Sequence, residues 1–195
     1  MDFTIFTSEN FKTNKWSGGT TTELFIYPPT ADYQNQDFNF RLSTAKVEAE
    51  KSEFTSLPGV SRKIIILDGE ITINHEGHNL KKLGKFDIDS FEGSWKTFSE
   101  GICTDFNLMT IGETRGDLSV GIIDKNQSLD FQIGDLNIWL FIYIFSGKVN
   151  VVINNNNHTL NQHNLLIINK LTIEKLKFRA VEKSELIFSK VKLVE

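Results

Sequence analysis

A segment that occurs twice limits this chain to a small set of folds. Residues 64–73 read IIILDGEITI, and residues 142–151, 78 positions later, read IYIFSGKVNV. Each copy is an apolar strand, a glycine and an alternating strand, followed by a polar hairpin and another strand. A glycine at such a junction permits a tight bend or a close approach of two strands. A solenoid usually needs three or more copies, so two copies predict two related β-barrels.

Strand signals run through the rest of the chain, whereas helical periodicity is nearly absent. Aromatic residues make up 11% of the chain, with 16 Phe and only 3 Pro, and Gly, Asn and Asp separate short β-rich segments. This spacing is typical of a sandwich or barrel, so we predict an all-β fold. We place one barrel at about residues 1–115 and the other at 116–195. The second copy has Leu140 where the first has Arg62, which favours ligand chemistry in the first barrel and a mainly structural second one.

Charge and cysteine content exclude several classes of partner. The net charge is −4, and the interspersed charges leave no basic stripe for nucleic acid. No apolar run reaches the roughly 18 residues of a membrane helix, so no membrane partner is expected. The single Cys103 excludes an intramolecular disulfide and fits a reducing compartment, which predicts a cytoplasmic protein. Its apolar strand context predicts a buried small hydrophobe rather than a reactive thiol.

The four histidines form no convincing metal or catalytic set. His75 and His78 belong to the hairpin sequence NHEGHN, where an exposed polar turn is the expected structure, and a zinc site would need further ligands. His158 and His163 occupy the analogous connection of the second copy. No Ser-His-Asp or Cys-His arrangement can be assembled from them. We therefore expect no metal and no cofactor.

Residues 54–101 resemble half of a cupin barrel whose metal ligands have been replaced. In the cupin pattern two His and a Glu precede a strand that ends in Gly, and a Pro-x-Gly-x-x-His turn follows. If Gly69 is that glycine, Arg62 takes the Glu position, and the His positions fall within residues 55–58, which contain no His. Residues 91–96 (FEGSWK) then match the turn, with Lys96 in place of His. The resemblance implies a pocket lined by cations instead of one that holds a metal ion.

Four further motifs resemble the HutD/Ves family of bicupins, within the RmlC-like cupin superfamily. They are WSGGTTTEL at residues 16–24, FRLSTAKV at 40–47, FTSLPGVSR at 54–62 and DFNLM at 105–109. The family usually has an Asn before the glycines of the first motif, whereas Ser17 follows Trp16 directly here. The resemblance implies a two-barrel chain, a small-molecule pocket in the first barrel and an association with histidine utilisation or stress genes.

The alternation of two strands gives a compatible result from the residues themselves. Arg41 and Ser43 share one face of their strand, and Asp105 and Asn107 share one face of another. A one-sided polar set in a barrel faces either solvent or the lumen, and the match to the family motifs favours the lumen. The run GGTTT at residues 18–22 adds backbone N–H groups and the Thr22 hydroxyl, which could cradle an anion.

The favoured hypothesis is metal-independent binding of a small anionic metabolite, a carboxylate such as urocanate or formylglutamate. Arginine presents a planar fork that suits a carboxylate, and lysine adds a point charge. We expect Arg41 and Arg62 to hold the carboxylate, Glu23 and Asp105 to orient the arginines, and Trp16 to cover the ligand. The other expected binding residues are Thr22, Ser43, Lys96 and Asn107.

Three alternatives stay open at this point. Either arginine could serve only as a structural partner of Glu23 or Asp105. The same two carboxylates are the candidates for a general acid or base if the protein is an enzyme acting on a small carboxylate. A metal-dependent cupin oxygenase is the third.

The apolar segment 138–145 is either internal or the seam of a homodimer.

Overall fold

The structure, a computed structural model, describes residues 2–194, and the chain divides into two compact units. The first unit comprises residues 11–116, and the second comprises residues 1–10 and 117–195. The sequence places the first ten residues with the first barrel, whereas β1 (Asp2–Phe6) pairs antiparallel with β16 (Leu165–Asn169) of the second unit. A five-residue strand pattern contains no information about its pairing partner, which explains the difference.

The first unit is built from two antiparallel sheets. The larger sheet has the order β2-β3-β4-β11-β6-β9, and the smaller one has the order β5-β10-β7-β8. Their strands are β2 (Lys12–Trp16), β3 (Gly19–Tyr27), β4 (Phe40–Val47), β5 (Lys51–Glu53), β6 (Val60–Gly69), β7 (Ile71–His75), β8 (Asn79–Leu83), β9 (Ile88–Glu92), β10 (Thr97–Glu100) and β11 (Cys103–Ile111).

The second unit contains one seven-stranded sheet with the order β1-β16-β14-β17-β12, to which β13 and β15 are added on β17 and β14. Its remaining elements are a 3₁₀ turn (Ser8–Asn10), β12 (Arg115–Ile123), β13 (Ser128–Gln132), β14 (Trp139–Ile153), β15 (Asn156–Asn161) and β17 (Lys175–Lys192). The all-β prediction is confirmed, and among the described strands the sheets are open jelly-roll sheets rather than closed barrels.

The glycines of the sequence repeat occupy equivalent positions. Gly69 and Gly147 have φ angles of 82° and 84°, a left-handed conformation that glycine adopts without strain. A Cβ atom on Gly69 would lie 2.3 Å from the carbonyl oxygen of Ile102, and one on Gly147 would lie 2.3 Å from that of Lys183. Both positions therefore combine a bend with a close strand approach, as the repeat predicts.

Buried isoleucines from alternating strand positions form the core of the first unit. Ile64 and Ile66 of β6 pack with Ile71 and Ile73 of β7, and Cys103 belongs to the same cluster. Cys103 is 4% exposed, which confirms the prediction of a buried cysteine, and burial raises the pKa of its thiol to about 12. No helix in the described part of the chain has the length and apolar character to cross a membrane.

The expectation that His75 lies in an exposed turn is wrong. His75 is the last residue of β7 and is 1% exposed. Its Nδ1 lies 2.8 Å from Thr97 Oγ1, and its Nε2 lies 2.8 Å from Asp89 Oδ2. Asp89 also accepts a hydrogen bond from Lys81. The imidazole is buried because two other strands, β9 and β10, supply its polar partners, whereas the turn itself begins after His75.

Candidate functional site

A cavity of about 620 Å³ lies within the first unit and contains most of the predicted site residues. Strands β4, β6 and β11 contribute its buried polar side chains, β2, β3 and β5 contribute exposed or half-buried ones, and loop residues 31–34 and 54–55 complete the lining. Its size suits a small molecule rather than a macromolecule.

Strand alternation and register bring the central polar groups together. Arg41 and Ser43 of β4 and Asp105 and Asn107 of β11 all line the cavity, and each of these residues is at most 6% exposed. Asn107 pairs with Ser43, while Met109 lies between Arg41 on one side and Arg62 of β6 on the other. The predicted polar faces therefore point inward, towards a shared cavity.

Arg41 is held by protein partners. Its Nε donates to Glu23 Oε2 at 2.7 Å, and its Nη1 donates to Ser43 Oγ at 3.1 Å. The Tyr33 ring lies 4.4 Å from the guanidinium carbon. These contacts fix the guanidinium and neutralise its charge, so the structural pairing considered for Arg41 is present.

Arg62 has a different environment. It is 6% exposed, and its Nε has no hydrogen-bond partner. Its guanidinium carbon lies 4.9 Å from the ring centre of Phe54 and 5.1 Å from that of Phe91, two cation–π contacts. The pKa of Arg62 is lowered to about 10, mainly by burial and to a lesser extent by the nearby Arg41 cation, while Tyr33 and Asp105 act in the opposite direction. A buried cation without a full set of hydrogen bonds is costly, which makes this guanidinium a candidate ligand-binding group.

Asp105 and Asn107 present unpaired acceptors. The Oδ1 atoms of both residues are buried without a hydrogen-bond partner. Burial raises the pKa of the Asp105 carboxyl to about 7, although Arg62 and the backbone N–H of Ala45 act in the opposite direction. Three orphaned polar atoms thus lie in one cavity, where a ligand could satisfy them.

Two predicted residues do not line the cavity. Two-residue alternation turns Thr21 and Glu23 towards it and Thr22 away, and the Thr22 hydroxyl lies 2.8 Å from that of Thr13. Lys96 is 61% exposed and its Nζ lies 2.8 Å from Glu76 Oε2, a surface ion pair outside the cavity. The hydrogen bond that Lys96 donates to Glu76 raises the pKa of the Lys96 ammonium group. The match to the cupin turn predicts Lys96 as a site residue, but in the structure its side chain lies outside the cavity.

Trp16 lies at the rim, and other lining residues had no clear signal in the sequence. The Trp16 ring is 39% exposed and packs on Gly18, where an added Cβ would come within 2.1 Å of the ring. Tyr33 lines the cavity from an irregular loop, where no strand alternation predicts the direction in which a side chain points. Phe54 belongs to one of the family motifs, so the motif, rather than alternation, could have identified it.

The donor set does not suit a metal ion. Within residues 2–194 no three His, Cys, Asp or Glu side chains are grouped closely enough to hold one. At the centre of the cavity the buried groups include two guanidinium groups, which repel cations, beside Asp105 and Asn107. The metal chemistry of typical cupins therefore has no fitting ligand set in the first unit.

Comparison with known proteins decides the family. The profile of the HutD family matches residues 8–188 of the chain. The chain belongs to the HutD family. Protein Ves from Citrobacter koseri is 35% identical over 104 residues, which are 50% of this chain and 52% of Ves. The alignable part of this HutD-family chain thus spans about half the length of that curated relative.

Solved structures share the fold of this HutD-family protein over nearly its whole length. A conserved protein of unknown function from Pseudomonas aeruginosa has a TM-score of 0.85 at 20% identity, covering 99% of this chain and 100% of its own. HutD from Pseudomonas fluorescens has a TM-score of 0.73 at 18% identity, covering 100% of both chains. Structures of the bacterial protein YhhW and of oxalate decarboxylase also share it. The predicted bicupin fold and HutD/Ves membership are both confirmed.

Proposed function

We propose that the cavity of the first unit binds a small carboxylate without the help of a metal ion. The observation that carries the proposal is Arg62, a buried guanidinium whose Nε is unpaired at the wall of a 620 Å³ cavity. A carboxylate would complete its hydrogen bonds and neutralise a charge that burial makes costly. Arg41, already held by Glu23 and Ser43, would supply a second, preorganised cation.

HutD family membership supports a regulatory role for this binding. The family is associated with histidine utilisation or stress genes, and urocanate and formylglutamate are the carboxylates that we propose first. Cys103 fits a reducing compartment, so we propose a cytoplasmic location. A homodimer and the absence of a nucleic-acid partner stay predictions.

Titration calorimetry with each acid and with its uncharged methyl ester tests the proposal. We expect saturable binding of at least one acid, at least tenfold tighter than that of its ester, because only the acid can form the charge-assisted bond to Arg62. Equal binding of acid and ester, or no binding of any small carboxylate, would contradict the proposal.

An enzyme that acts on a small carboxylate is the second candidate, and Asp105 favours it. A cavity carboxyl whose pKa burial raises to about 7 is suited to exchange a proton near neutral pH. Glu23 is the weaker candidate, because its carboxylate accepts the Arg41 hydrogen bond. Product formation from urocanate or formylglutamate that is lost in Asp105→Asn would support catalysis, whereas saturable binding without turnover would support the binder.

A further inference from the structure

A simple carboxylate would leave part of the cavity unsatisfied. Arg62 offers a donor, but Asp105 and Asn107 offer acceptors whose Oδ1 atoms are buried and unpaired. The amide of Asn107 can rotate to present its NH₂ group instead, whereas ionised Asp105 has no donor to offer. Above about pH 7, where Asp105 is ionised, a carboxylate placed against it would meet a like charge. The ligand therefore needs a different group at that end of the cavity.

The charges of the lining give the same result. Four cationic side chains line the cavity, namely Lys12, Lys15, Arg41 and Arg62. Four acidic side chains line it as well, namely Glu23, Asp32, Glu53 and Asp105. A cavity selective for a purely anionic molecule would have an excess of cations. This balance suits a ligand with one anionic end and one hydrogen-bond-donating end.

The strand register limits the distance between the two ends. Arg62 pairs with Met109, and Asn107 is two residues from Met109 on the same face of β11. Diagonal neighbours in an antiparallel pair lie about 7–8 Å apart at Cα, and Asp105 follows about 7 Å further along the strand. Side chains that converge on one cavity shorten these spans. A ligand of four or five carbon atoms in length can contact Arg62 and reach the acceptors.

We propose that the ligand of this cavity is a small acid with an N–H or O–H donor at its far end, its carboxylate bound by Arg62 and its donor bound by Asp105 and Asn107. This inference rests on the proposed carboxylate site and adds the chemistry of the second end. Alkyl acids, and dicarboxylates that have no N–H or O–H donor, are then poor ligands, since each leaves Asp105 unpaired or repelled.

A pair of isosteric acids tests the donor directly. Succinamate and levulinate differ only by an NH₂ group in place of a CH₃ group, and glutaramate and 5-oxohexanoate form the same pair with one more methylene. Titration calorimetry at about pH 8.5 keeps Asp105 ionised, because its pKa is about 7. We expect the amide of at least one pair to bind about ten- to a hundredfold tighter than its ketone, the effect of a hydrogen bond to a charged group.

Variants connect this preference to Asp105. Asp105→Leu should abolish the difference between amide and ketone, whereas Asp68→Leu, the same change at an exposed position outside the cavity, should preserve it. If Asp105→Leu does not fold, as judged by circular dichroism, Asn107→Leu serves instead and should reduce the preference.

The outcomes separate this inference from the proposed function. Equal binding of amide and ketone in both pairs would overturn the donor inference and leave the carboxylate site standing. A preference that persists unchanged in Asp105→Leu and Asn107→Leu would also overturn it. If none of the four acids binds and urocanate and formylglutamate also fail, the carboxylate site and the inference fall together.

Discussion

Replacement of Arg62 by Met should weaken carboxylate binding without destabilising the protein. A charge-assisted hydrogen bond contributes about 1.5–3 kcal/mol, so the dissociation constant for the bound acid should rise about ten- to a hundredfold. Lys96→Met removes the same charge from an exposed site outside the cavity and should leave the affinity unchanged. Titration calorimetry of the wild type and both variants with one carboxylate measures the difference.

Stability provides the second half of this test. Burial lowers the pKa of Arg62 from 12.5 to about 10, which corresponds to a destabilisation on the order of 3 kcal/mol at neutral pH, where the native state must hold the cation. Removing the guanidinium relieves this destabilisation but also removes the cation–π contacts with Phe54 and Phe91, which stabilise the native state by about 1–2 kcal/mol. We therefore expect the free energy of unfolding of Arg62→Met to equal or exceed that of the wild type. Unchanged affinity together with a clear loss of stability would refute the reasoning and assign Arg62 a structural role.

Three further predictions concern the first unit. Burial raises the pKa of Asp105 to about 7, so between about pH 4 and 7 only the unfolded carboxyl ionises. We therefore expect the wild type to lose stability on the order of 4 kcal/mol over this range in urea unfolding. Asp105→Asn should abolish this loss. Asp89→Asn should lower the free energy of unfolding by about 1–3 kcal/mol at pH 7. Burial alone would raise the pKa of Asp89, but hydrogen bonds from His75 and Lys81 lower it. The stability deficit of the variant should therefore shrink below about pH 4, where the wild-type carboxylate becomes protonated. Gly69→Ala should cost about 3 kcal/mol, because its Cβ would meet the Ile102 carbonyl at 2.3 Å in addition to the left-handed strain.

Each of these predictions has a matched comparison. Wild-type stability that stays level between about pH 4 and 7 would contradict the buried, neutral state of Asp105. An Asp89→Asn deficit that is the same at pH 3 and 7 would show that its carboxylate is not the stabilising form. Gly59 has a φ of 81° and open space around its Cβ position, so Gly59→Ala should cost only about 1 kcal/mol. Equal costs at Gly59 and Gly69 would contradict the close strand approach.

The strands and their inward faces could be predicted because those signals are local. The alternation of residues 40–47 and 105–109 is enough to put Arg41 with Ser43 and Asp105 with Asn107. The same rule applied to β3 would have selected Thr21 instead of Thr22, since Glu23 was already placed inside. The motif predicts Thr22 as a binding residue, but a motif by itself does not specify which face of a strand each of its residues occupies.

Burial and pairing of single side chains were harder to predict. His75 appears in a polar sequence, NHEGHN, that is typical of an exposed hairpin, yet Asp89 and Thr97 from two other strands make its burial favourable. Lys96 occupies the His position of the cupin turn in the sequence match, but its side chain pairs with Glu76 at the surface. Neither outcome is visible in a local pattern, because the deciding partners are distant in the chain.

The sequence by itself determined the all-β class, the two related units and the glycines at which their strands bend, since each follows from local alternation and backbone sterics. Only the tertiary structure decided that Glu23 pairs with Arg41 while the Nε of Arg62 keeps no partner, and that Asp105 and Asn107 remain open acceptors. Those properties depend on which side chains from β3, β4, β6 and β11 come within hydrogen-bonding distance. That distance is set by strand register, which no single segment specifies.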